Sequence, residues 1–150
     1  MLKYILSVRF GWLAGVMTLL MLGGCATSND VVKAKIKGAG TTAIYSVPVD
    51  QAWLIAKTVF RWEGSDAIEE FKEQGYMLTS SGADLLSQGT VMGAWVTELG
   101  PESVEITTIT KRRVQIDPFT TLTESTFHKR FAQAVEIIKG GASLPEVAPK

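Results

Sequence analysis

Cysteine, histidine and long apolar stretches are scarce in this chain, and each shortage removes a class of function. One cysteine, Cys25, excludes an internal disulfide, and one histidine, His128, leaves no set of imidazoles or thiolates for a zinc or iron centre. No Gly-x-Ser-x-Gly elbow and no Gly-x-x-x-x-Gly-Lys loop occurs, so serine-hydrolase and nucleotidase chemistry lack their motifs. Beyond Gly24 nothing approaches the roughly 20 apolar residues that a spanning helix requires. A charge excess is missing too. Basic and acidic side chains number 15 each, and residues 1–24 hold two of the basic ones (Lys3, Arg9) and no acid. Removing that stretch leaves 13 against 15, a net charge of −2, with no global field for nucleic acid. The 150 residues suffice for one domain, and no internal repeat divides them.

What is present begins with an export pattern. Lys3 and Arg9 form a positive head, Phe10 to Leu22 an apolar middle, and Gly23 and Gly24 a small-residue end before Cys25. Leu22-Gly23-Gly24-Cys25 resembles the lipobox of bacterial lipoproteins, in which an aliphatic residue and two small ones precede the cysteine that takes diacylglycerol. The resemblance implies cleavage between Gly24 and Cys25, an acylated Cys25, and attachment to membrane lipid through that residue. Lipidation also consumes a thiol that would be a liability in an oxidising compartment. At about 0.8 kcal/mol per buried CH₂, two or three acyl chains hold a protein at the bilayer without a protein partner. In the Gram-negative sorting pattern, Asp after the cysteine retains a lipoprotein in the inner membrane. Ala26 and Thr27 stand here, which implies the outer membrane, facing the periplasm, for a Gram-negative source.

Residues 25–40 are expected to be the lipidated cysteine and a tether. Val32-Lys33-Ala34-Lys35-Ile36-Lys37 alternates within it, as a solvated linker, a lysine-guarded edge strand or a basic segment on headgroups. Residues 41–140 are expected to form the domain, and residues 141–150, with Pro145 and Pro149, a disordered tail. Thr41 to Ser46 predicts a strand, Gln51 to Glu63 a helix capped by Asp50, and Asp66 to Gln74 a second short helix. Tyr76 to Ser80 predicts a strand and Leu85 to Gln88 an extended piece. Thr90 to Glu98 with Ser103 to Arg113 predicts a hairpin through Leu99-Gly100-Pro101-Glu102. Thr121 and Glu124 have capping-box spacing for a last helix to about Lys139. The fold class is α+β: two layers, an antiparallel sheet of three to four strands, helices packed on one face. That architecture resembles βαβββα domains of small envelope lipoproteins, among them accessory lipoproteins of outer-membrane assembly machines.

Candidate sites are few. Trp53, Phe60, Trp62 and Trp95 either fill the core or line an apolar ligand cleft between helix and sheet. Lys111, Arg112 and Arg113 form the densest charge run, a solvated strand end or a patch for lipid headgroups or an acidic partner. Asp66, Glu69, Glu70 and Glu73 share a face of the expected second helix, which suits dipole complementarity or a paired-carboxylate hydrolase. His128 lies at the boundary of the last helix with no nucleophile beside it in sequence. These readings predict a lipid-anchored envelope module that binds a protein partner, without cofactor or metal and without enzymatic activity. A binder of a small apolar or lipid ligand is the alternative, and an envelope hydrolase a distant third.

Overall fold

The computed structural model describes residues 26–65, 67–81, 89–112 and 122–150. Cys25, the export segment, Arg113 and the expected extended piece at Leu85 to Gln88 lie outside the described residues. In chain order the elements are α1 (Ser28–Ile36), β1 (Thr41–Tyr45), α2 (Val49–Trp62), β2 (Ala67–Phe71), a 3₁₀ turn (Lys72–Gln74), β3 (Tyr76–Ser81), β4 (Thr90–Gly100), β5 (Ser103–Arg112) and α3 (Glu124–Lys139). The strands make one antiparallel sheet in the order β1-β5-β4-β3-β2. The class is therefore α+β, with five strands where three to four were expected.

The two long helices arise from their apolar stripes. On α2, Ala52, Ile55, Ala56, Val59 and Phe60 are buried, and on α3, Phe127, Phe131, Ala134 and Val135. Both stripes face Met77, Met92, Ala94, Val96, Val104 and Ile106 on one side of the sheet. Phe60, Phe127 and Phe131 are wholly covered, each contributing about 1.5–3 kcal/mol by its burial. Thr123 caps α3, its Oγ1 accepting from Thr126 N at 3.2 Å, two residues beyond the expected cap.

Four expectations are corrected. The stretch read as a tether contains α1, and α1 lies on the opposite face of the sheet from α2 and α3. There Val31 and Ala34 pack against Leu78, Val91 and Ile109. The helices are thus not confined to one face. Gly93 permits this second layer, because a Cβ there would stand 2.9 Å from Val31 Cγ1 and 2.7 Å from the Trp95 ring. The second short helix is instead strand β2 and the 3₁₀ turn. Its alternation sends Ile68 to the main core and Phe71 to the other face, where its ring stacks on Tyr76 at 4.7 Å. Finally, the C-terminal residues pack rather than trail. Leu144 adds to the main core, Trp62 Nε1 donates to the Pro145 carbonyl at 3.0 Å, and Arg130 donates to the carbonyl of Pro149.

Candidate functional site

The register of the sheet locates the side chains that matter. Ala67 pairs with Ser80, Ser80 with Val91, and Val91 with Lys111, so these four form one row near one end of the sheet. Arg112 stands one row further out, opposite Thr90. Because alternate strand residues face opposite sides, Lys111 projects on the α1 side and Arg112 on the α3 side. Lys111 and Arg112 thus flank the end of β5.

The first turn of α1 occupies this same row, since Ser28 borders a small recess with Ala67, Glu69, Leu78 and Ser80. Thr27 N and Thr27 Oγ1 both donate to Asp30 Oδ2, at 2.8 and 2.9 Å. Those two bonds, helped by Lys33 and Lys111, hold the Asp30 carboxyl below its usual value. These bonds close the first turn of α1, and Val31 and Ala34 seat the helix on the sheet.

On the α3 side of this end a groove of about 650 Å³ is open to solvent, bounded by Thr41, by Thr110 to Arg112 and by Thr123 to Ser125. Glu124 ties its floor together: one carboxylate oxygen accepts from the Thr41 hydroxyl, the other from Thr110 N at 3.0 Å. Arg112 and the Glu124 carboxylate both line it, so the groove carries charge of both signs.

Deeper along β1 lies a network built on His128. Nε2 is 3.1 Å from the Thr41 carbonyl and 3.0 Å from Thr108 Oγ1, while Nδ1 is 2.8 Å from the Tyr45 hydroxyl. A carbonyl can only accept, so the neutral ring carries its proton on Nε2, and Nδ1 accepts from Tyr45. Burial lowers the His128 pKa, and burial raises that of Tyr45 to about 12. Both ring nitrogens are engaged, which makes His128 a clamp between β1, β5 and α3.

The other sequence candidates are dispersed. Phe60 is in the core, Trp53 and Trp62 are half-buried at the margin of that core, and Trp95 is on the opposite face, stacked on Tyr76 at 5.5 Å. These four residues do not share a cleft. Lys35 sits over the Trp95 ring at 5.8 Å and Lys72 over that of Trp53 at 5.9 Å. Glu69 and Glu70 point to opposite faces of β2, and Glu70 pairs with Lys57 at 2.9 Å, so the shared helix face expected for the acidic cluster is absent; Asp66 lies outside the described residues. Among the described residues no three His, Cys, Asp or Glu side chains converge as a metal site, and no helix is long and apolar enough to cross a membrane.

Neither a protein-family profile nor a curated protein matches this sequence. Among solved structures the chain is similar to the Zhui aromatase/cyclase from Streptomyces sp. R1128. Identity is 14%, covering 69% of this chain and 85% of that one, at a TM-score of 0.27. A likeness that distant transfers no chemistry.

Proposed function

We propose that this protein is a lipid-anchored envelope lipoprotein whose α+β body is an interaction or assembly module, facing the periplasm from the outer membrane in a Gram-negative cell. The observation that carries the reading is the junction between anchor and body. The lipobox cysteine, Cys25, is followed after two residues by a helix seated on the sheet. An acyl anchor at that point holds the domain itself at the bilayer. Two of the polar groups that sequence offered for chemistry support the same reading, since they bind elements to one another: Glu70 to Lys57, and His128 to Tyr45 and Thr41.

The test is metabolic labelling in the host. Labelled palmitate is expected on the wild-type protein and not on Cys25→Ala, which accumulates as unprocessed precursor. An intact initiator methionine and a free thiol on the wild-type protein would overturn the anchor. For the module, crosslinking in intact cells followed by affinity capture should return a reproducible envelope protein, and its repeated absence would overturn that half of the reading.

A further inference from the structure

We infer that the seam between α2 and α3 is a peptide-binding site, that residues 144–149 of this chain occupy it as an internal ligand, and that a partner enters it with an extended segment bearing an aliphatic residue just before a proline. This inference rests on the reading of the body as an interaction module and names the chemistry of its partner. The receptor groups come from both helices. Trp62 ends α2 and donates from Nε1 to the Pro145 carbonyl at 3.0 Å, while Arg130 of α3 donates to the carbonyl of Pro149. Arg130 is also held by the body itself, its Nε donating to Glu63 Oε1 at 3.3 Å and its Nη1 to Gln133 Oε1 at 3.1 Å. The guanidinium therefore has partners that keep it in place when the segment leaves.

The occupant is bound as a peptide ligand is bound. Its backbone is read at two carbonyls by side-chain donors, and one side chain, Leu144, packs against the main core beside the apolar Ile138 and Trp62. Residues 143–150 make no backbone–backbone hydrogen bond among the described residues, so no ladder or helix holds them. Leu144-Pro145 and Ala148-Pro149 are both residue-before-proline pairs, which favour extended backbone and lower the entropy lost on docking. The segment also hangs on a joint. Gly141 at φ +78° ends α3, with Gly141 N donating to Ile138 O at 2.9 Å and Ala142 N to Ile137 O at 3.1 Å, so α3 is closed off before the segment begins. So short a connection keeps the segment at an effective concentration on the order of millimolar, and a weak contact suffices to fill the site. A partner segment with the same contacts and a few more displaces it.

The test uses the full chain with Leu144→Asp, which places a charge where the leucine packs and so empties the site without altering the receptor side chains. The probe is a fluorescein-labelled peptide of residues 142–150, followed by fluorescence anisotropy. It should bind Leu144→Asp at least about tenfold more tightly than wild type, whose own segment competes. Adding Trp62→Phe, which keeps an apolar ring and removes the donor, should weaken binding about fivefold, the equivalent of one hydrogen bond. A peptide carrying Asp in place of its leucine should not bind. Should Leu144→Asp fail to fold by circular dichroism, a protease site inserted between Gly141 and Ala142 and cut in the folded wild-type chain supplies the empty site. No binding to the opened protein, or equal binding to opened and wild-type protein, overturns the inference. Failure here removes the peptide site and leaves the crosslinking result standing, whereas peptide binding with no partner captured in cells removes the module and leaves the site.

Discussion

Burial holds His128 in its neutral form, and stability should depend on pH through it. The folded His128 pKa lies below its ordinary value of 6.5 because burial penalises the imidazolium. Between the folded value and 6.5 the unfolded chain binds the extra proton, so stability is fully present above 6.5 and is lost as pH falls through the folded value. Urea midpoints should drop from about pH 7.5 to about pH 5, and His128→Gln should flatten that dependence; an equally steep slope in the variant would assign the effect to other groups. Tyr45→Phe removes the phenol bond to Nδ1 and should cost about 1 kcal/mol at neutral pH. Sequence placed His128 correctly at the boundary of the α3 stripe. Its partners were illegible, because Tyr45 is 83 and Thr41 87 positions away, and only pairing of β1 with β5 brings them to it.

Among the elements, α1 is held by the narrowest contact, and Gly93 controls it. Gly93→Val inserts atoms where even a Cβ would meet Trp95 and Val31 under 3.0 Å, so α1 should lift while the five-stranded sheet persists. Hydrogen exchange should then accelerate across residues 28–36 and stay slow in β4 and β5; unchanged protection of α1 would show that the helix does not depend on this approach. Val31→Ala, which leaves the seat intact, should cost about 1–3 kcal/mol globally if α1 unfolds with the sheet, and little if it unfolds alone. The same narrowness explains why α1 escaped the sequence pattern. Only Val31 and Ala34 are buried, a seam of two residues, while Val32 to Lys37 alternates with the period of a strand. Strand β2 misled in the opposite direction, since Ile68 and Phe71 are three apart and resemble one helical face, yet each packs on a different side of the sheet. Helices α2 and α3 and the β4–β5 hairpin were legible because four or more residues of each repeat at one period and are buried in the main core.

For the whole molecule, the decisive variable is the distance between the acyl anchor and the rigid body. A ten-residue Gly/Ser spacer placed between Cys25 and Ser28 behaves as a flexible coil with a root-mean-square reach of about 16–19 Å. A tether of that reach should let the body turn freely above the bilayer although every residue of the fold is unchanged. The spacer protein should still incorporate palmitate and unfold at the same urea concentration. Partner crosslinks that require a fixed height above the membrane should disappear. Their persistence would mean that anchoring supplies only a high local concentration, and that orientation is set by the partner. Sequence could name the anchor, because a lipobox is local, and could name Lys111 and Arg112, because they are adjacent. It could not place them on one end of the molecule, since that requires the register of four strands and the seat of a helix read as a linker.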